Sequence, residues 1–211
     1  MSKKIGYDDA YSLKTPEDST KLYKKWAKTY DKDFALTSKY ISPKKISIFF
    51  NKYARITDNP ILDVGAGTGL VGEFLYKTGN KKIIGIDISQ EMLEQAKLKR
   101  CYSSLIQADV TKNIPLKSNS IGAIVSAGTF THGHVGPDSF DELLRITKPG
   151  GLFVLSINLK VFIQGGFKEK FSKIKKSISV PIFNEFKAHG KNKDEKFNEI
   201  RLLASIFRKK F

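Results

Sequence analysis

A short apolar segment that runs directly into three closely spaced glycines does most to restrict the fold of this chain. Residues 61–64 read Ile-Leu-Asp-Val, and Gly65, Gly67 and Gly69 follow before the chain continues into Leu70. Glycines at this spacing let the backbone bend tightly and let a ligand approach the main chain, and the helix that follows directs its first amides at that ligand. The segment therefore predicts a strand, a ligand-binding turn and a helix.

The same alternation of strand and helix continues beyond this turn. Strands are predicted over 61–64, 82–87, 104–108, 121–126 and 151–157, and helices over 70–78, 89–100 and 138–147. Because the strands are continuous apolar runs, they are typical of a parallel sheet covered on both faces. The tail, residues 167–208, predicts a helix followed by a β-hairpin at the sheet edge.

Two helices are predicted before the first strand. In the first, over 15–30, Leu22, Trp26 and Tyr30 are four residues apart and share one face. The second begins at Ser42. The 211 residues suffice for one domain. We therefore predict a helical cap or lid over residues 1–58 and a core over 59–211, which form a single structural unit.

Acidic residues at the predicted strand ends indicate what the turn binds. Asp63 would repel a pyrophosphate, but it can hold the loop amides or attract an ammonium group, and the two roles are compatible. Asp87 can accept hydrogen bonds from ribose hydroxyls; its alternative role, capping the next helix, already belongs to Ser89. Asp109 can accept a hydrogen bond from an adenine amine while the Val110 amide donates one.

Two apolar residues near this position, Ile88 and Met92, can sandwich an adenine ring. Packing in the core is nearly as good an interpretation of Met92.

Four motifs in this order resemble class I S-adenosylmethionine-dependent methyltransferases over nearly the whole chain. They are Ile61–Leu70, Ile84–Ser89, Gln107–Val110 and Glu142–Gly151. The resemblance implies a Rossmann-like α/β fold with a seven-stranded, mostly parallel sheet, helices on both faces and an antiparallel last strand. It also implies S-adenosyl-L-methionine as cofactor. The cofactor-binding residues predicted in this way are Tyr30, Asp63, Gly65, Ala66, Gly67, Gly69, Leu70, Asp87, Ile88, Met92, Asp109, Val110 and Ala127.

A narrower resemblance rests on two further segments. Trp26–Asp33 and Gly128–Val135 are similar to the small methyltransferases named after the Williams–Beuren syndrome chromosome region. This resemblance implies that Tyr30 lies over the methionine end of the cofactor.

Candidate catalytic residues follow the fourth predicted strand, where ligands of open α/β sheets bind. His132 or His134 can deprotonate or orient an acceptor; the alternative is a polar loop that bonds the cofactor or caps the next helix. His189 is expected near the hairpin turn, away from the site. Trp26 and Phe130 are candidates for the substrate pocket, although a lone tryptophan on an apolar helix face is often core.

The remaining sequence features bear on the partner. The net charge of +16 is compatible with an anionic partner such as RNA, but a general preference for Lys, Ile and Asn explains it better. The position after the fourth strand reads Ser126–Thr131 and not an Asn-Pro-Pro-Tyr type motif, and no metal-ligand cluster is evident, so we predict no metal. The sequence thus predicts a methyltransferase for a small-molecule acceptor, with an RNA methyltransferase or a cofactor-binding module without methyl transfer as alternatives.

The location is predicted from features that the sequence lacks. No apolar run approaches the roughly 20 residues that span a bilayer, no signal peptide is evident, and Cys101 is the single cysteine. We therefore expect a cytoplasmic protein with no membrane partner, either monomer or dimer.

Overall fold

A computed structural model describes Asp9 and residues 16–211, and its elements follow the predicted alternation. In chain order they are α1 (Pro16–Trp26), a π-helix (Asp31–Leu36), α2 (Ser42–Tyr53), β1 (Ile61–Val64), α3 (Leu70–Lys77), β2 (Ile83–Asp87), α4 (Gln90–Leu98), β3 (Ser104–Gln107), β4 (Ile121–Phe130), α5 (Ser139–Ile146), β5 (Thr147–Asn158), α6 (Leu159–Gln164), α7 (Phe167–Ile174), β6 (Ile182–Lys187), α8 (Glu195–Asn198) and β7 (Arg201–Arg208). As predicted, Ser89 caps α4, because its side chain accepts a hydrogen bond from the Met92 amide.

The seven strands form one sheet in the order β3-β2-β1-β4-β5-β7-β6. The pairs from β3 to β5 are parallel, whereas β7 is antiparallel to both β5 and β6. The predicted fold, a mostly parallel seven-stranded sheet with an antiparallel last strand, is confirmed. The predicted hairpin inserts its second strand next to β5, so β6 becomes the edge strand.

The N-terminal helix departs from its predicted bounds. Thr15, the predicted first residue, lies outside the described residues. α1 ends at Trp26, and the π-helix begins directly after Tyr30. The face of Leu22, Trp26 and Tyr30 that was predicted for one helix is therefore divided between α1 and the segment that follows it.

Strand β4 is longer than predicted and continues to Phe130, with a register irregularity between Ser126 and Phe130. Two hydroxyl groups stabilise this irregular end, because Ser126 Oγ and Thr129 Oγ1 both donate to the Val64 carbonyl, at 2.7 and 2.9 Å. The additional residues carry β4 across the carboxyl edge of the sheet, where the candidate site lies.

The sheet has a buried apolar layer on each face. One layer contains the rings of Phe130, Phe140 and Phe153. In the other, Ile46 and Phe50 of α2 pack with β-strand residues, so α2 helps to form the core although it lies within the predicted cap.

The segment between α1 and α2 is attached to the sheet at two places. Backbone hydrogen bonds join Ile41 N to Ala188 O at 3.0 Å and Gly190 N to Lys39 O at 2.8 Å. Further along the sheet edge, Thr68 Oγ1 donates to Asp31 Oδ1 at 2.5 Å. The segment is thereby held over the carboxyl edge of the sheet.

No helix within residues 16–211 has the length and apolar character needed to cross a membrane.

Candidate functional site

The glycine turn between β1 and α3 has the backbone geometry that the sequence predicts. Gly65 has φ +67°, and a Cβ atom there would overlap the hydroxyl of Thr129. The Gly67 amide donates to Asp87 Oδ2 at 2.8 Å, and the Ser89 amide donates to Asp87 Oδ1 at 2.9 Å. The Asp87 carboxylate therefore joins the turn to the end of β2.

The turn opens into a cleft whose empty volume is about 990 Å³, its mouth included. All of the predicted cofactor-binding residues line it except Asp63 and Gly69. We call this cleft the larger cavity. Its wall is made by Tyr23, Tyr30, Tyr40, Pro43, Gly65, Ala66, Gly67, Thr68, Leu70, Val71, Asp87, Ile88, Met92, Ala108, Asp109, Val110, Thr111, Ala127, Gly128, Thr129, His134 and Val135.

Asp63 lies buried behind the turn, where it accepts a hydrogen bond from the Tyr102 hydroxyl at 2.7 Å. That hydroxyl in turn accepts one from the Gly72 amide at 3.2 Å. Burial raises the pKa of Asp63 to about 7. Its contacts are those of a brace for α3, and its Oδ1 atom has no hydrogen-bond partner among the described residues.

The two acidic residues in the wall differ in electrostatics. Burial raises the pKa of Asp87, although the Ser89 and Gly67 amides partly offset the effect. For Asp109, burial is outweighed by hydrogen bonds from Thr111, which lower its pKa. Both carboxylates keep lone pairs for a ligand.

The wall suits an adenosine ligand better than a dinucleotide. No lysine or arginine of the described residues lines the larger cavity, so a pyrophosphate would meet carboxylates without a compensating cation. Ribose hydroxyls and an adenine amine, in contrast, are hydrogen-bond donors for Asp87 and Asp109. The side chains present therefore fit S-adenosylmethionine.

A second cavity, with an empty volume of about 590 Å³, adjoins the larger one. We call it the smaller cavity. Its wall includes Trp26 and Phe130, the predicted substrate-pocket residues. The two cavities share Tyr23, Tyr30, Tyr40, Gly128 and His134. The remaining wall residues are Phe34, Thr131, Ser156, Ala188, His189, Ile200 and Leu202.

The histidines that were predicted as catalytic do not present a free base to either cavity. His132 lines neither cavity. His134 lines both, but its Nδ1 atom is 2.9 Å from the His132 carbonyl and its Nε2 atom is 3.1 Å from the Tyr23 hydroxyl. Since a carbonyl can only accept, Nδ1 carries the hydrogen and Nε2 accepts from Tyr23.

The position expected for His189 is right in one respect and wrong in the other, since it lies in the turn between β6 and β7 but not away from the cavities. It was expected away from the site, yet it is buried in the wall of the smaller cavity, because the segment after β6 pairs with residues 39–42. Its Nδ1 donates to the Ser38 carbonyl at 3.0 Å. Burial lowers its pKa to about 4, so the ring is neutral at pH 7.

Other wall residues were missed for a common reason. Thr68, Thr111 and Thr129 lie within or just after the predicted motifs, and their position beside strand ends was an available signal. Phe34 and Tyr40 lie in a segment without strong periodicity, and only the folded chain brings them to the site.

Within residues 16–211, no group of three or more histidine, cysteine, aspartate or glutamate residues is arranged to hold a metal ion.

The comparisons with known proteins agree with this geometry. Residues 62–155 match a family described as a methyltransferase domain. The chain is 33% identical over 149 residues to human Methyltransferase-like protein 27, and the aligned region covers 67% of this chain and 59% of the human protein. It is 26% identical over 143 residues to the Demethylmenaquinone methyltransferase of Renibacterium salmoninarum, and this aligned region covers 68% of this chain and 60% of that protein. The chain thus spans about 60% of the length of these relatives.

The fold is also shared with solved structures. A structure that contains the Haloferax volcanii Trm112 methyltransferase activator and a methyltransferase matches with a TM-score of 0.69 at 16% identity, over 90% of this chain and 98% of the matched chain. The methyltransferase-domain match and the methyltransferase relatives imply S-adenosylmethionine as the cofactor, and the hydrogen-bonding groups of the larger cavity fit it.

Proposed function

We propose that the chain, whose residues 62–155 match a methyltransferase domain, binds S-adenosylmethionine in the larger cavity and transfers the cofactor's methyl group to a small molecule. The observation that carries the proposal is the junction of two unlike cavities. One has acidic residues and a glycine turn, and the other, directly adjoining, is walled mainly by aromatic and aliphatic side chains.

We assign the larger cavity to the cofactor. Asp87 accepts from the ribose hydroxyls, and Asp109 accepts from the adenine amine while the Val110 amide donates. Ile88 and Met92 enclose the adenine ring. The glycine turn offers its backbone to the amino-acid end.

Tyr30 belongs to both walls, and we place it between the cofactor's methionine end and the acceptor. When bound, the cofactor supplies a methyl group already activated by its sulfonium. The protein then contributes orientation and the exclusion of water. We propose that residues 16–41, which lie within the predicted cap, supply this exclusion as a lid, whereas α2 packs into the core.

RNA methylation is the second candidate, because the net charge is +16. The two cavities do not support it, since no lysine or arginine of the described residues lines either wall. Binding of a tRNA fragment that persists at physiological salt would favour RNA, whereas binding that vanishes there would indicate only non-specific attraction.

Calorimetric titration with S-adenosylmethionine and with S-adenosylhomocysteine tests the cofactor site. We expect both ligands to bind, and Asp87→Ala to weaken binding roughly 100-fold, because two hydrogen bonds to a charged acceptor are lost. Asp138→Ala is the matched control, since the Asp138 side chain is fully exposed and forms no helix-cap hydrogen bond. Equal affinity in the Asp87 variant and the wild type would refute the ribose contact.

Methyl transfer itself is measured with a panel of small hydroxyl and amine acceptors. Cofactor binding without transfer to any acceptor, RNA included, would favour a non-catalytic module.

The membership in the Williams–Beuren type and the cytoplasmic location stay predictions.

A further inference from the structure

The wall of the smaller cavity includes two residues whose buried polar atoms have no hydrogen-bond partner among the described residues. Trp26 Nε1 and Thr131 Oγ1 are buried and form no hydrogen bond within the described part of the chain. A buried unpaired donor costs about 1–3 kcal/mol, so groups of this kind indicate that a ligand supplies the missing partner. Both residues lie in the wall of this cavity.

A third polar atom in the same wall has a defined chemical character. The His189 Nδ1 hydrogen is donated to the Ser38 carbonyl, which leaves Nε2 as a lone-pair acceptor. The described residues offer Nε2 no hydrogen bond. The ring is fixed by its neighbours, because Tyr40 and Phe197 lie 5.3 and 4.9 Å away between ring centroids.

Aromatic rings form most of the rest of the wall. Trp26 lies 5.0 Å from Tyr30 and 5.6 Å from Phe34, both edge to face, and Phe130 lies on the sheet side. No acidic or basic side chain of the described residues lines this cavity, apart from its two histidines. An ionic ligand would therefore lose its hydration without gaining a counter-charge.

We propose that the smaller cavity is the acceptor site and takes a compact, planar, uncharged molecule that carries a hydroxyl or N–H group. This group donates to His189 Nε2, while a ligand acceptor atom pairs with Trp26 Nε1. The proposal rests on the proposed function, which places the cofactor in the adjoining cavity.

His189 acts here as a hydrogen-bond acceptor that selects and orients the molecule. Its apolar surroundings disfavour the imidazolium form, so a neutral ring that accepts a hydrogen bond fits this position better than one that takes up a proton. Planarity follows from the rings, because flat molecules stack against aromatic faces and edges at little entropic cost.

Binding in this cavity can be followed by intrinsic tryptophan fluorescence, because Trp26 is the single tryptophan of the chain. Three matched probes are titrated against the protein loaded with S-adenosylhomocysteine, and Trp26 fluorescence is followed. The probes are 4-methylphenol, its phosphate ester, and 4-methylcyclohexanol. We expect 4-methylphenol to change the emission saturably, the saturated alcohol to bind roughly tenfold more weakly, and the phosphate ester not to bind.

His189→Phe keeps a ring of similar size but removes the lone pair, and we expect it to weaken 4-methylphenol binding roughly tenfold. Phe183→Leu is the control, since Phe183 lines neither cavity. If His189→Phe does not fold, nitrogen NMR of the wild-type protein is used instead. We then expect 4-methylphenol to shift the resonance of His189 Nε2.

Equal binding of the phosphate ester, an unaltered Trp26 emission with all three probes, or an unshifted Nε2 would overturn the proposal. Failure of S-adenosylhomocysteine to bind would instead overturn the proposed function. The probe titration is then repeated without it, so the two failures remain distinguishable.

Discussion

The two adjoining cavities are built by different means. In the larger one, backbone turns and carboxylates at strand ends form much of the wall, with Gly65, Asp87 and Asp109 as its main polar features. In the smaller one, aromatic and aliphatic side chains dominate, and the buried Trp26 Nε1 and Thr131 Oγ1 atoms have no hydrogen-bond partner among the described residues. The larger cavity is therefore suited to one ligand of fixed hydrogen-bonding pattern, whereas the smaller depends on shape and on a few unpaired groups.

The two cavities also differ in which parts of the chain supply their walls. Much of the larger cavity comes from short segments that each follow a strand, near residues 65–71, 87–92 and 108–111. The smaller cavity collects residues from 23–40, 128–134 and 188–202. Short segments at strand ends therefore define the larger cavity, whereas side chains from distant parts of the chain define the smaller one.

The largest effect is expected from Asp63, which lies behind the larger cavity. The unfolded carboxyl ionises near pH 4 and the folded one near pH 7, so the folded state holds more protons between these values. The free energy of unfolding therefore falls as pH rises through this window. Asp63→Asn should reduce this fall by up to about 4 kcal/mol, measured by urea unfolding at pH 4 and pH 8.

The same variant separates the two roles predicted for Asp63. A brace for Tyr102 requires only the hydrogen bond, so cofactor affinity at pH 7 should stay within about twofold of wild type. A large loss of affinity would show that the carboxylate attracts the ligand's ammonium group instead. His189 does not produce the same signal, because its lowered pKa reduces stability as pH falls from about 6.5 to about 4.

Gly65→Ala tests whether the backbone turn defines the larger cavity. The added Cβ occupies a positive φ and overlaps Thr129, whose hydrogen bond to the Val64 carbonyl must break. These costs sum to roughly 3 kcal/mol, and we expect cofactor affinity to fall about 100-fold by calorimetry.

Gly136→Ala is the matched control for that variant, because a Cβ at Gly136 meets nothing within 4 Å. Unchanged affinity in Gly65→Ala would mean that the turn can relax, and the contrast between a backbone-built and a side-chain-built cavity would fail.

The sequence was informative where an element's geometry depends on adjacent residues. The turn and the Ser89 cap are local features, and the structure places them as predicted. Of the strand-end acids, Asp87 and Asp109 line the larger cavity, whereas Asp63 lies behind the turn. The extension of β4 to Phe130 was not predictable, since it depends on hydroxyl contacts with Val64 across the sheet. The location of His189 likewise depends on the pairing of residues 188–190 with residues 39–42.

A smaller effect is expected from Asp31, which joins the N-terminal segment to the larger cavity. Its carboxylate accepts from Thr68 Oγ1 at 2.5 Å and from Lys99 Nζ at 2.6 Å. Asp31→Asn keeps the shape but loses the ion pair, and we expect about fivefold weaker cofactor binding. Because salt screens the pair, wild-type affinity should fall more steeply with ionic strength than that of the variant. Parallel salt curves would show that Asp31 does not hold the lid.

The smallest effect on the cofactor is expected from Phe34→Leu, because Phe34 lines only the smaller cavity. Its ring contacts Trp26, Tyr30 and Tyr40, so its loss should weaken 4-methylphenol binding about threefold to tenfold. Cofactor affinity should be unchanged. Phe183→Leu is the matched control, since Phe183 lies in neither wall. If Phe34→Leu weakened the binding of 4-methylphenol and of the cofactor equally, ligand binding in the two cavities would be coupled. Tyr30, which lines both cavities, would then be the residue that couples them.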